Sequence, residues 1–240
     1  MITFDFEDGK GPVPAHKHRN GGGWVANTAT VADTAYVGPN ARVFGSAEVS
    51  GNARIADNAY VSDNARVFDN AHVYDNTWVS GNARVSGNAC VSDSAYVYDN
   101  AWVYDKAFVS GNVEVSGHAN IYGNACVSNR ACVSDSAYVY DNAYVSDSAY
   151  VSGNAKVYGN AMVYGDAMVS GNARVFGNAK LYGKVRVYDE NVTDRALGGD
   201  YNSPTKNNEQ PAKNVDANIE IKLYTDFIIV NGVKYIKEPT

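Results

Sequence analysis

The sequence is poor in the residues that fill an ordinary globular core. In 240 residues there are three Met and seven Phe, and Leu and Ile are sparse. Such a core needs a mixed set of large aliphatic side chains packed to crystal-like density, so a conventional globular domain is excluded. Cysteine is limited to Cys90, Cys126 and Cys132. An odd number without a CxxC pair argues against a disulfide framework and against a zinc site, and it fits a reducing, cytoplasmic setting. No apolar run approaches the roughly 20 residues of a membrane span. The opening MITFDFEDGKGPVPAHKHRN has acids early and no apolar core of a signal peptide. Charged residues are only 19 % of the chain, with a net charge of −6. Residues 24–191 hold 16 acids and 11 bases, residues 1–23 three of each, and residues 192–240 seven and six. No segment is basic enough for a nucleic-acid surface, so neither nucleic acid nor membrane is expected as a partner.

What is present is repetition. The chain is 45 % hydrophobic, yet its mean hydropathy is −0.33. The apolar share is mostly Ala, Val and the 18 Tyr, alongside 22 Gly. An aliphatic residue recurs every six positions from Val25 through Val31, Val37 and Ile55 to Leu181 and Val187, giving 28 positions without one insertion. Two residues before each stands a small one, nearly always Ala; Val113 and Val185 are larger, and Thr77 is similar in size. The unit is A-x-V-x-[GD]-[NS].

Ala and Val, two apart, share one side of a strand, and the x positions take the other. Gly-Asn, Asp-Asn and Asp-Ser tolerate left-handed turn conformations. A helix broken every six residues by such pairs would not form. A strand that turns every six residues with one side always inward winds into a coil, and successive coils stack by parallel backbone pairing. The expected fold is all-β, a solenoid.

The unit resembles the hexapeptide-repeat family, in which an aliphatic residue is followed four places later by a small one, as in Val49 to Ala53 and Val151 to Ala155. The segment HKHRNGGGWV is similar to the start of bacterial and phage members. The resemblance covers about 168 of the 240 residues. It implies a left-handed parallel β-helix, three hexads to a triangular coil. Twenty-eight hexads give about nine coils. The general crossover rule favours right-handed connections, so the hand rests on the resemblance.

At three hexads per coil, residues eighteen apart stack. Asn64, Asn82 and Asn100 then form a corner amide ladder, as do Asn52, Asn70 and Asn88. Gly and Asp alternate at the preceding corner position: Asp63, Gly81, Asp99, Gly117, Asp135. One outward column runs Phe68, Ser86, Tyr104, Tyr122, Tyr140, Tyr158, Phe176, beside Trp102, Asn120, Tyr138 and Lys156. These aromatics stabilise parallel ladders, and as an outward strip they form the candidate binding surface: Phe68, Trp102, Tyr104, Tyr122, Tyr138, Tyr140, Tyr158 and Phe176.

Residues 1–23 form an N-terminal cap with ITFDF as a short strand, and residues 24–191 the coil. Residues 192–216 form a polar linker, and residues 217–240 strands with an Asn231-Gly232 hairpin turn. His16 and His18 make at most half a metal site, so no metal and no cofactor is expected. The family resemblance implies acyl-CoA-dependent acyltransferases, or zinc carbonic anhydrases, with a catalytic His between the subunits of a trimer. The period admits no excursion loop. Only His72 and His118 lie in the repeat, leaving His72 as the one candidate catalytic base. The expectation is a non-catalytic β-helical scaffold or binding protein of bacterial or phage origin that acts through its aromatic face and self-associates as a homo-oligomer. The alternatives are a divergent acyltransferase using acyl-CoA and a phage factor that binds and inhibits a host protein.

Overall fold

A computed structural model of the chain describes residues 2–199 and the strands Ile221–Leu223, Phe227–Val230 and Val233–Ile236. Within residues 2–199 the chain is all-β. Two sheets have ten strands each; a third has twelve, two of them in the N-terminal segment. Ten coils therefore stack, each giving one short strand to each of three faces. The first face runs Trp24–Ala26, Arg42–Val43, Tyr60–Val61, Trp78–Val79 and onward, the second begins at Thr30–Val31, and the third at Tyr36–Val37. Pairing is parallel with an eighteen-residue offset: Arg42 opposite Tyr60, Arg66 opposite Arg84, His72 opposite Cys90.

Each coil holds the next through its backbone. The Arg42 amide donates to the Ala59 carbonyl at 3.0 Å, and the Phe44 amide to that of Val61 at 3.0 Å. The inward Ala and Val positions are sealed from water along the coil. A buried valine contributes roughly 1.5–3 kcal/mol, against about 1 kcal/mol net for a hydrogen bond. Burial therefore supplies the stability, and the polar corners set the register. The residue just after most inward Val positions is more recessed than simple alternation predicts. Ser62 and Ser86 are buried there, as is Phe44. The corner residues face solvent, and the position before each Val is exposed or half-buried.

The corners explain the alternation of Asp and Gly. Both take the left-handed region, with φ of 57° at Asp63 and 64° at Gly81. The Asp63 carboxylate accepts the Gly81 amide of the next coil at 3.2 Å, Asp69 accepts that of Gly87 at 3.1 Å, and Asp135 that of Gly153 at 2.9 Å. Spacing of like charges is not the general rule. In the third corner column Asp57, Asp75 and Asp93 follow one another, each carboxylate accepting the next corner amide. Beside them the amide ladders form as expected, Asn64 to Asn82 at 3.3 Å and Asn82 to Asn100 at 3.2 Å.

The departures from small residues are accommodated locally. The Thr77 hydroxyl is buried and donates to the Tyr74 carbonyl at 2.7 Å. At Val113 the extra bulk coincides with an opened corner: Gly111 has φ of 92°, against 65° at Gly117.

The ends revise the sequence-based boundaries. The six-residue period stops at Val187, but the coil does not. Asn191–Thr193 pairs with Arg174–Phe176, and Ala196–Leu197 with Lys180–Leu181, so the stretch assigned to a linker from residue 192 begins as two more sides of the tenth coil. These sides are five residues long: Val192 and Leu197, both buried, follow Val187 at intervals of five. At the other end Thr3–Phe4 pairs antiparallel with Val13–Pro14, and Val13–Lys17 continues antiparallel onto Trp24–Ala26, covering the first face's edge. Phe6, Ala15, Ala26 and Phe44 form a second small core there. Arg42 lies over Phe4 and Tyr60 and pairs with Glu7 at 2.9 Å.

The chain divides into two units, residues 1–205 and 206–240. In the second, Ile221–Leu223, Phe227–Val230 and Val233–Ile236 form an antiparallel three-stranded sheet, with Val230 opposite Val233. The linker from residue 200 and the Asn231-Gly232 turn lie outside the described residues.

Two outcomes test this construction. A Cβ at Gly81 would meet the Asp99 backbone nitrogen at 2.8 Å, in a left-handed conformation. Gly81→Ala should therefore lower stability by roughly 1–3 kcal/mol in urea denaturation. Removing one coil, residues 54–71, should leave the circular dichroism spectrum and melting cooperativity intact. Removing one hexad, residues 54–59, should not, because every later residue moves to a different face.

Candidate functional site

The second face gathers most of the aromatic residues singled out in the sequence. Parallel pairing brings the residues before each Val into the column Arg66, Arg84, Trp102, Asn120, Tyr138, Lys156, Arg174. In the recessed column beside it, Tyr104, Tyr122, Tyr140, Tyr158 and Phe176 stack into one continuous pile. Successive ring centroids are 4.8, 4.9, 4.9 and 5.1 Å apart, with planes within 8°. The backbone repeat imposes that spacing, close to the 4.7–4.9 Å between strands, and it lies within the range of favourable offset stacking.

Because the rings cover one another and sit in the recessed position, Phe68, Tyr104, Tyr122, Tyr140, Tyr158 and Phe176 are half-buried, as are Trp102 and Tyr138. The strip is a flush surface rather than a set of projecting side chains. The break at Ser86 is covered from the next coil: the Trp102 Nε1–H donates to the Ser86 hydroxyl at 3.3 Å, and the indole stands 4.6 Å from the Tyr104 ring. Phe68 lies beyond Ser86 and outside the pile. Arg84 lies 5.7 Å over Trp102, and Lys156 lies 5.2 Å over Tyr138. Arg66 is engaged with Glu48 at 3.2 Å. Among the described residues, Arg84, Lys156 and Arg174 form no ion pair.

Sequence reasoning missed a notch in this face. Between Trp102 and Tyr138 the column holds the shorter Asn120. At the adjoining corner the amide ladder runs from Asn64 through Asn82 to Asn100 and is then interrupted by His118 and Ser136, before Asn154 bonds Asn172 at 3.3 Å. The two irregularities fall side by side. They form a cavity of about 370 Å³ lined by Asn82, Arg84, Asn100, Trp102, His118, Asn120, Ser136 and Tyr138. The available signal was the coincidence, at an eighteen-residue offset, of a broken aromatic column with a broken asparagine ladder. A second groove, of about 560 Å³, lies where Gly111 opens its corner and is lined by polar groups including Asn129, Arg130 and Asp147.

The largest exposed aromatics lie elsewhere. Trp78 and Tyr96 on the first face are 37 % and 50 % accessible, with rings stacked 6.4 Å apart. Phe108 is exposed on the third face. His72 is exposed on the third face between Arg54 and Cys90, so the candidate base has a cation and a thiol as column neighbours. The His16 Nδ1–H donates to Asn27 Oδ1 at 3.0 Å, while that of buried His18 donates to the Asn20 carbonyl at 3.2 Å. Among the described residues no three His, Cys, Asp or Glu side chains are grouped to hold a metal ion. The cysteines are half-buried, and burial, followed by the Glu114 charge, pushes the Cys132 thiol up to about 11. Among the described residues no helix is long and apolar enough to cross a membrane.

A family model described as the YdcK β-solenoid repeat matches the chain at residues 59–75, 78–93, 83–99 and 155–171. The chain is a repeat β-helix protein. The matched stretches are all coil, so the likeness concerns the framework and leaves its surface chemistry open. A search of the curated proteins finds no match.

The Tyr pile has a titration signature. Burial first, then the neighbouring Tyr122 and Tyr158, pushes Tyr140 up from its ordinary 10.0 to about 12. Tyr104 and Tyr122 are raised mainly by burial as well. For a group raised in the folded state, the stabilisation is complete below the unfolded value and disappears as pH rises through the folded one. The melting temperature should therefore fall between pH 10 and pH 12. Tyr140→Phe should make that fall shallower, and absorbance at 295 nm should show late-titrating tyrosines.

Proposed function

We propose that the protein is a non-catalytic binding scaffold, a hexapeptide-type coil whose second face is the working surface. The observation that carries this reading is the second face itself. It combines a flush pile of aromatic rings, three cations without a carboxylate partner among the described residues, and a notch lined by polar groups. Ligand sites characteristically pair aromatic walls with a few convergent polar groups. The coil interior, by contrast, is filled with Ala and Val. His72 is flanked in its column by Arg54 and Cys90, and among the described residues no carboxylate is bonded to it to orient the imidazole for general-base catalysis.

Self-association belongs to a different surface. Trp78 and Tyr96 form a stacked, exposed pair on the first face, the kind of aromatic anchor enriched at protein interfaces. Placing the contact between copies there leaves the second face free for a ligand.

Sedimentation equilibrium tests the arrangement. The native protein should sediment as a multimer of its 25.8 kDa chain, and the double variant Trp78→Ser, Tyr96→Ser as the monomer. Both side chains face solvent, so the circular dichroism spectrum should not change. A native monomer, or a variant of unchanged mass, would remove self-association from the proposal.

A further inference from the structure

We infer that the open edge of the first coil, the strand Thr30–Val31, is a docking site for one extended, uncharged peptide segment of another protein, added to the second face as a further β-strand. The site lies at the end of that face and is independent of the notch and the aromatic pile.

The N-terminal cap closes two of the three edges of the first coil and leaves the third. On the first face Val13–Lys17 pairs with Trp24–Ala26, and Thr3–Phe4 pairs beyond it. On the third face the Val37 amide donates to the Asn20 carbonyl at 3.0 Å and the Gly23 amide to the Val37 carbonyl at 2.9 Å. The Asn20 side chain donates to the Ala35 carbonyl at 2.9 Å. On the second face Thr30–Val31 is the last strand of its sheet. The Thr30 and Ala32 amides turn toward the second coil and donate to the Ala47 and Val49 carbonyls. Successive residues of a strand direct their backbone groups to opposite neighbours, so the Val31 N–H and C=O point to the open end. Among the described residues nothing bonds them.

The inward side chains show the same gap. The inward residues that follow, such as Ala35, Val37, Ala47 and Val49, are sealed, whereas Ala29 and Val31 are only half-buried. Sheet edges left to solvent are usually blunted by lysine, proline or an inward charge. Residues 28–32, Thr-Ala-Thr-Val-Ala, carry none of these.

Shape and charge specify the guest. On the first face the cap stands two strand spacings beyond the coil, roughly 9.5 Å. Its side-chain contacts stop at the two corners of the second face, His16 with Asn27 at 3.0 Å and Arg19 with Asp33 at 3.0 Å. The edge is therefore the floor of a slot that admits a single strand and keeps out the flat end of another folded coil. A two-residue edge also falls far short of the roughly 1,200 Å² buried by a stable interface between folded proteins. The charges around the slot are matched in pairs, Arg19 with Asp33, and Glu48, beside Thr30, with Arg66 at 3.2 Å. An uncharged segment is thus favoured. A bound strand turns alternate side chains inward, over Ala29 and Val31, so the guest needs a small residue and a β-branched one two places apart. Strand addition of this kind takes its affinity from main-chain bonds and its selectivity from the alternate side chains.

Amide hydrogen exchange, read by NMR on the full chain, tests the site. The probe is the blocked peptide Ser-Ala-Tyr-Val-Ser-Gly-Asn, which has the sequence of residues 148–154. The Val31 amide should exchange freely in the chain alone, and saturating peptide should slow it at least about tenfold. The same peptide carrying Val151→Pro or Val151→Asp should leave the Val31 amide unprotected. In the protein, Val31→Pro removes the donor at an edge position, where proline is tolerated. Its circular dichroism spectrum should be unchanged, and the peptide should no longer shift the Ala29 and Ala32 amide resonances. The peptide variants decide the matter even where that substitution disturbs the coil.

Unchanged Val31 exchange under excess peptide would overturn the site. Equal protection by the Val151→Asp peptide would overturn the guest chemistry. Protection in the chain alone that disappears on dilution would place a second copy on the edge, and protection that persists on dilution would place a segment of the same chain there. Either result would overturn a peptide from another protein as the occupant. None of these outcomes bears on the second face as a ligand surface or on the contact at Trp78 and Tyr96.

Discussion

The regular coil depends on the backbone pairing between residues eighteen apart. That pairing sets one distance along the axis and one direction for every side chain, and the rest of the structure consists of what fits them. Inward, the three walls of a coil meet across a space that Ala and Val fill. Outward, like residues are held at a separation where aromatic rings stack and amides bond. At the corners the same rise brings a left-handed Asp over the amide of the next coil, so the carboxylate accepts a hydrogen bond that a plain turn would leave to water. One constraint thus has three chemical outcomes, chosen by position within six residues.

A ladder this regular makes its irregularities informative. Where Val113 replaces Ala, the corner opens and Gly111 takes a wider φ. Where Ser86 interrupts the aromatic column, the Trp102 indole reaches back to cover it. Where Asn120 and His118 fall together, nothing reaches across and a cavity remains. The first two are repaired by packing, whereas the third is not. The tyrosine pile beside it is continuous, with successive rings covering one another.

Much of this was legible beforehand. The six-residue period determined the coil, the inward set, the corner ladders and the stacked column from Tyr104 to Phe176. The backbone pairing between the regular coils follows from counting by eighteen. Three things were harder to see. The final two sides of the coil shorten to five residues, so a strict period lost them although Val192 and Leu197 still point inward. The strand Val13–Lys17, which covers the first edge, carries no hexad. The recess after each Val is a property of the triangular corner, and a flat strand would not show it; for that reason the aromatic strip appeared more prominent than it is.

The sequence by itself determined the framework, because local turn chemistry and one burial rule repeat until no other packing satisfies them all. Only the tertiary structure decided which outward residues cover one another and which leave a gap. That depends on side chains meeting across neighbouring coils, Trp102 diagonally on Ser86 and Arg84 directly over Trp102. Such contacts are set by side-chain length and direction, which the period does not encode.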